Sequence, residues 1–396
     1  MVSPQPSSQA PTPEARQSKL WVLWLLFFFQ YAAIGVYFTF LNVYFHEAGL
    51  SGTQIGLLNM TTALVGVGSS VVWGYLADRT GKPRLWIALG VAGSLVVNQF
   101  VPYVQGFWAY LALGCLGSMM NSAPGTLVDS TALVLLGKRR EDYGRYRLGG
   151  TIGYILTALT SGFLFQRIGL RAMFPAYGVV MLGFALAALL LPPAVVRLEA
   201  RSSAAFGKML ARPAWLLFIT VLFLCWIATN ASIMFLSVAL SAMGAGQGLI
   251  GVTATAPAVL EIPFMFFSGA LLRRYGSVRL MMVGMGLMMA RFFLLGIMPD
   301  PSWAVLANLL NGPAFVFFWN SAVNYANQMA PPGMAGTAQG MLASTASLAG
   351  VVSSLLSGWL LDQLGPNGIF RVMAVLVLAA LLLFAVGRRF TRPAQA

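Results

Sequence analysis

The sequence predicts an all-α integral membrane protein, built from twelve transmembrane helices in two six-helix parallel repeats. Three observations predict it: a composition suited to lipid, twelve apolar runs of crossing length, and motifs that recur at half the chain length. Of the 396 residues, 58% are apolar and only 9% charged, and the mean hydropathy is +0.78, whereas a soluble domain carries about a quarter charged residues.

The apolar runs come first. A helix needs roughly 20 apolar residues to cross a bilayer core, and such runs fall at 20–45, 53–76, 84–103, 107–136, 145–168, 172–191, 214–240, 249–272, 278–297, 302–329, 335–361 and 368–386. This divides the chain into a disordered tail (1–19), a first six-helix bundle (20–191), a linker (192–213), a second bundle (214–387) and a short tail (388–396). Residues 1–19 are rich in Pro, Ser and Gln and lack the basic start, short apolar core and cleavage site of a signal peptide. Cys115 and Cys225 both lie in apolar spans, where free cysteine behaves as a small hydrophobe; neither a disulfide nor a metal site is expected, and no cofactor.

The net charge of +14 does not point to nucleic acid, because the cations are sorted by loop. Arg79, Lys82 and Arg84, then Lys138, Arg139, Arg140, Arg145 and Arg147, lie on one side. Arg197, Arg201, Lys208 and Arg212, then Arg273, Arg274 and Arg279, then Arg388, Arg389 and Arg392 follow on that same side. Only Arg167, Arg171 and Arg371 fall opposite. Positive loops stay cytoplasmic, so both termini are expected there, in a multi-pass protein of a bacterial-type inner membrane.

The repeat supplies the architecture. Gly74-Tyr-Leu-Ala-Asp-Arg-Thr-Gly-Lys-Pro-Arg84 recurs as Gly269-Ala-Leu-Leu-Arg-Arg-Tyr-Gly-Ser-Val-Arg279, an offset of 195 residues (74 to 269). Ser161-Gly162-Phe163-Leu164, ending in Gly169, recurs as Ser357-Gly358-Trp359-Leu360, ending in Gly365, an offset of 196 (161 to 357). Two motifs in one register indicate parallel halves, a plan that places a solute site near the midplane between them.

These motifs resemble a known family. Gly74 to Arg84 looks like the signature loop between the second and third helices of the major facilitator superfamily. Tyr143-Gly-Arg-Tyr-Arg-Leu-Gly-Gly-Thr-Ile-Gly-Tyr154, with Glu261-Ile-Pro-Phe in the eighth span and an Arg in the ninth, resembles the branch containing phenylpropionate, nucleoside and lactose permeases. That resemblance implies the major facilitator fold, a small-molecule solute carried with protons, and a monomer in lipid; it implies no enzyme. In the signature loop Gly74, Asp78, Arg79, Gly81 and Arg84 form a turn whose Asp78 would accept from the N-terminus of a neighbouring helix, latching the outward-facing state. The alternative is a basic turn that sets topology alone.

Charge at depth marks the candidate site, because an ionised group in hydrocarbon costs a few kcal/mol even on lenient scales. Asp129 and Arg147, eighteen residues apart (129 to 147), suit a facing pair across an antiparallel hairpin. The resemblance implies that Asp129, Arg147 and Tyr154 bind solute, while a salt bridge holding the hairpin, shared with Glu141 or Asp142, is the structural alternative. Glu261 lies mid-span between Pro257 and Pro263, where a broken helix would need a polar cavity, and it is expected to face Arg291. Glu261 is the candidate proton carrier with Arg291 as its partner; a fixed ion pair is the alternative. Relatives often carry a His or Glu in the tenth span. Here there is neither; Asn320, Asn324 and Gln328 recur every four residues on one face. The single His46, beside Glu47, reads as a surface residue. Gln30, Asn121 and Asn230 complete the solute-binding candidates, and Gly149, Gly150, Gly153, Gly284 and Gly286 read as close packing.

Two other functions compete with symport. One is a proton-driven antiporter exporting drugs or metabolites; the other, from a different class, is a non-transporting receptor or scaffold, against which the acids and arginines at depth argue. No His cluster, nucleophile elbow or phosphate loop supports an enzyme.

Overall fold

The computed structural model describes residues 20–191, 212–331 and 334–390. The expected N-terminal tail, most of the linker with Arg197, Arg201 and Lys208, and the last six residues lie outside the described residues. The regular structure of the described residues is helical. Nine of their helices are long and apolar enough to cross a membrane.

A first group comprises α1 (Trp21–Glu47), α2 (Gly52–Thr80), α3 (Pro83–Gln99), α4 (Phe107–Leu136), α5 (Tyr143–Ile168) and α6 (Met173–Leu189). A second comprises α7 (Pro213–Ala242), α8 (Gln247–Tyr275), α9 (Ser277–Ile297) and α10, which is interrupted into Trp303–Leu309 and Asn311–Met329. It ends with the helical run Ala335–Phe390, turned at Gly365 (φ 71°) into α11 (335–364) and α12 (366–390). A positive φ suits glycine alone, and the following Pro366 cannot continue the ladder.

Within the first group α1 packs on α5 and α6, α2 on α4, and α3 on α4 and α6. In the second, α7 packs on the α11–α12 run, and α9 lies against α10 and that run. Between the groups α2 meets α11, α5 meets α8, and the end of α1 meets α7. Small residues permit the close approach within the first group: a methyl on Gly149 would lie 2.7 Å from the Trp24 carbonyl oxygen, and one on Gly150 would touch the Tyr31 ring. Gly284 packs likewise on the Phe318 backbone, but Gly286 faces nothing within 4 Å, so its expected packing role is not found.

The α1–α5 contact also deforms α1. Thr157 Oγ1, which is 2.7 Å from the Gly153 carbonyl of its own helix, also lies 3.1 Å from the Ala32 carbonyl, and a side chain set into the ladder widens it. The next residues, Ile34–Phe38, form a single wide i→i+5 turn, a feature that often marks functional sites.

Candidate functional site

The two groups are joined by hydrogen bonds at one end. Asp362, on α11, accepts from Gly52 N and Thr53 N at 2.7 Å each and from Thr53 Oγ1 at 2.6 Å. Those amides open α2, so the carboxylate sits where the helix dipole favours an anion. Gln166 Oε1, on α5, accepts from Gly248 N at 3.0 Å, at the start of α8. Asn42 Nδ2 donates to the Met234 carbonyl at 2.9 Å, and Gln247 Nε2 to Glu47 at 3.3 Å. Glycines let the backbones cross: a methyl on Gly162 would lie 2.7 Å from the Gln247 carbonyl oxygen, and one on Gly358 would lie 2.8 Å from the Gly52 carbonyl carbon.

The opposite end carries the signature turn. Gly74 is buried, Arg79 and Arg84 are exposed, and Gly81 takes φ 64° as the C-cap of α2. Asp78 Oδ1 is buried without a hydrogen-bond partner among the described residues. The hydrogen bonds that join the groups among the described residues therefore lie at the end of the α2–α11 and α5–α8 crossings, not at the turn.

Between the groups lies a cavity of about 230 Å³, lined by Phe38, Thr39 and Tyr154 on one side and by Ser232, Thr253, Pro257, Arg291, Asn308 and Asn311 on the other. The widened turn of α1 therefore faces it, and the Tyr154 hydroxyl lies against Thr39. A chain of polar contacts builds the far wall. Pro257 has no N–H for the Thr253 carbonyl one turn earlier; Asn308 Nδ2 donates to that carbonyl at 2.7 Å instead. The donation aims Asn308 Oδ1 at Arg291, whose Nε and Nη2 reach it at 2.9 and 2.6 Å. Arg291 Nη2 also donates to Ser232 Oγ.

This corrects two expectations. α8 runs unbroken past Pro257 and Pro263, and at the first of them Asn308 satisfies the carbonyl that Pro257 orphans. Arg291 does not face Glu261. Glu261 lies fourteen residues from the start of α8 at Gln247, and Arg291 six from the end of α9 at Ile297. Both counts run from the same closed end, so the two differ by about 12 Å in depth at 1.5 Å per residue. Asn308, five residues into α10, is level with Arg291 and takes its place. The Glu261 carboxylate is half-buried and feels the charge of Arg147, across the divide between the groups.

The hairpin pair is corrected as well. The single ion pair among the described residues joins Arg139 and Asp142 at 2.8 Å, which removes Asp142 from the expected shared bridge; the Glu141 side chain lies outside the described residues. Asp129 Oδ1 accepts from Tyr143 Oη at 2.9 Å, one turn of α5 before Arg147. The Arg147 guanidinium instead donates to the Tyr31 hydroxyl and stacks over that ring, 3.9 Å from its centroid, the amphipathic use of Arg that Lys cannot copy.

The amides divide by neighbourhood. Asn121 lines a second cavity of about 260 Å³, walled mainly by the first group with Asn59, Asn98, Tyr37 and Tyr110 and bordered by Ile233 and Met234 of α7. There Tyr37 Oη donates to Asn98 Oδ1 at 2.7 Å. Gln30 Oε1 is buried without a partner among the described residues. Asn230 Nδ2 donates within its own helix to the Trp226 carbonyl at 2.8 Å. Asn324 Oδ1 accepts from Gln328 at 2.6 Å and from Ser277 at 3.1 Å, tying α10 to the start of α9, while Asn320, one turn away, is half-buried. The periodicity of that face is real, and its ordered contacts bridge helices. Asn308, Ser232 and Asp362 are the functional candidates that sequence reading missed. For Asn308 a signal existed: it follows Arg291 by seventeen residues (291 to 308), close to the hairpin spacing that singled out Asp129 and Arg147.

Comparison with known proteins agrees with this architecture. A maltose permease from Geobacillus stearothermophilus is 27% identical over 379 residues, covering 93% of this chain and 94% of the relative. A multidrug resistance protein MdtG from Klebsiella pneumoniae is 30% identical over 176 residues, 42% of each chain. Among solved structures, the nucleoside transporter NupG superposes with a TM-score of 0.79 at 18% identity, over 95% of this chain and 100% of that one; at that identity it speaks for the fold. The model of the MFS_1 like family matches residues 20–372, and the chain accordingly belongs to that family, as a multi-pass membrane protein and secondary-active transporter of small solutes.

Proposed function

We propose that this transporter is a proton-coupled symporter importing a small organic solute by alternating access, as a monomer with twelve spans in two six-helix bundles (20–191 and 214–387). One observation carries the reading: a cavity between the two helix groups, closed at one end and walled by the Arg291, Asn308 and Ser232 cluster against Tyr154. With both termini cytoplasmic, as the sorting of Lys and Arg supports, the closed end faces outward and the conformation is inward-facing. Asp78, unpartnered among the described residues, would find its helix N-terminus once the turn end closes, with Arg79, Arg84 and the Gly74 and Gly81 positions shaping the latch. Asp129, Tyr154, Gln30, Asn121, Asn230, Asn320 and Asn324 are retained as solute contacts of one or another state.

Glu261 carries the proton in this proposal. Its carboxylate accepts no hydrogen bond from the described residues, and the charge acting on it belongs to the opposite group, at Arg147. Protonation would cancel that attraction and free Arg147 to change partners as the groups rock, linking a local charge to a global change. The maltose permease, matched along nearly the whole chain, supports a solute permease; the partial matches to MdtG, a multidrug resistance protein, favour export as the second reading.

Reconstitution in proteoliposomes separates them. An inward proton gradient is expected to drive solute accumulation by the wild type, and Glu261→Gln is expected to lose accumulation while keeping solute exchange. Gradient-driven accumulation by Glu261→Gln equal to wild type removes Glu261 from coupling; proton-stimulated efflux in place of uptake selects the exporter.

A further inference from the structure

Arg291 presents a problem that the transporter fold does not resolve by itself. Its side chain is 3% exposed, at a depth where a cation normally finds a carboxylate. The described residues supply none: Asp129 serves Tyr143, Asp362 serves the start of α2, and Glu261 lies at another depth, under the influence of Arg147. Asn308 and Ser232 offer oxygen dipoles to Nε and Nη2 but no charge. A guanidinium has five N–H donors. Nη1 makes no hydrogen bond to the described residues, and it is not among the sealed, unpartnered atoms, so it keeps accessible surface where Arg291 lines the cavity.

The orientation of Arg291 is set before any ligand arrives. Pro257 orphans the Thr253 carbonyl, that carbonyl fixes the Asn308 amide, and Asn308 Oδ1 holds one edge of the guanidinium. Ser232 Oγ takes the remaining Nη2 proton, which leaves Nη1 beside the cavity. A cation fixed on one side, with the two Nη1 protons left over, matches a carboxylate oxygen in charge and in donor geometry. Tyr154 faces it across the cavity, offering an apolar ring face and a hydroxyl to the rest of the molecule.

We propose that the cargo is an organic carboxylate whose anionic group is the missing counter-ion of Arg291, with Asn308 as the positioning residue. This deepens the proposed transport function and rests on it for the word cargo, whereas the anion site stands on the geometry alone. It also departs from the maltose and nucleoside named for the relatives, neutral solutes for which no fixed cation is needed.

The test measures binding to purified protein, so it does not depend on coupling. The probes are matched pairs small enough for the cavity: benzoate with benzamide, gluconate with sorbitol, and acetate with acetamide, at constant ionic strength, with inorganic phosphate and chloride as further arms. At least one carboxylate is expected to bind, or to stabilise against heat, at a concentration about tenfold below its neutral counterpart, equivalent to about 1.4 kcal/mol. Arg291→Gln is expected to abolish that preference. Asn308→Asp supplies an internal counter-ion, keeps the buried charge balanced should Arg291→Gln fold poorly, and is expected to lose the preference as well. Equal binding of neutral partners, an undiminished preference in both variants, specificity for phosphate or chloride alone, or no carboxylate effect across the panel overturns the proposal. If carboxylates bind through Arg291 but Glu261→Gln still accumulates solute under a gradient, proton coupling fails and the anion site survives. Proton-driven uptake of a neutral solute, unaffected by Arg291→Gln, sinks the anion site and leaves the coupling intact.

Discussion

The two crossings that close the molecule follow one plan with unequal chemistry. At the α5–α8 crossing Gly162 admits the Gln247 backbone, and a neutral amide, Gln166, accepts one hydrogen bond from the start of α8. At the α2–α11 crossing Gly358 admits the Gly52 backbone, and an anion, Asp362, accepts three from the start of α2. Gln166 and Asp362 are separated by 196 residues (166 to 362), the same register as the Ser-Gly motifs that precede them. The repeat thus preserves the backbone approach and the position of the acceptor, while the strength of the acceptor differs. Steric fit is required on both sides for closure; the charge sets how firmly one side holds.

Breaking the fit is expected to have the largest effect. Gly358→Val places a branched side chain against the Gly52 and Gly56 backbone, where neither neighbour has a flexible end that can give way. Overpacking of this kind costs about 1–3 kcal/mol, enough to shift the molecule toward the state open at this end. Cysteine labelling of Ser237→Cys, a cavity-lining position, from the outside and in a background with Cys115 and Cys225 replaced by Ala, would read the shift as increased reactivity; unchanged labelling and unchanged thermal stability would show that the crossing is not tightly closed.

Removing the charge comes next. Asp362→Ala deletes three charge-assisted acceptor contacts, each worth about 1.5–3 kcal/mol when buried, but the residue is exposed and water takes over much of the work. A net loss of about 1 kcal/mol, the upper range for an exposed anion at a helix start, is expected in the same labelling assay. Asp362→Asn should recover part of it, because an amide oxygen still accepts. Equal behaviour of the Ala and Asn variants would assign the contact to charge alone.

Gln166→Ala is the smallest test and sharpens the comparison most directly. One neutral hydrogen bond between membrane helices averages about 0.6 kcal/mol, so its effect is expected below that of Asp362→Ala. A larger effect would invert the asymmetry and make the α5–α8 crossing the firmer one.

Sequence reading succeeded where the signal was local. The apolar runs, the repeat register and the small residues at Gly149, Gly150 and Gly153 each depend on a few neighbouring residues, and the helices and close contacts follow them. It located the charges at depth, Glu261 and Arg291 included, because an ionisable residue in an apolar run stands out wherever it points. It mispaired them. Glu261 and Arg291 share a bundle but not a depth, and Arg147 crosses to Tyr31 on α1 while Tyr143 takes the Asp129 carboxylate. Asp362 escaped notice because it sits just past its apolar run, among residues that resemble an ordinary helix end.

What the sequence by itself determined is the lipid-embedded helical class of the molecule and the inventory of its unusual groups, a few acids and arginines that hydrocarbon does not tolerate unaided. Composition and periodicity suffice for this because transfer from water to lipid is nearly additive along a helix. Only the tertiary structure decided which groups meet. Pairing depends on axial depth and on rotation about each helix, and a single proline can redirect it: Pro257 frees a carbonyl, Asn308 answers it, and the guanidinium of Arg291 is held with Nη1 left beside the cavity.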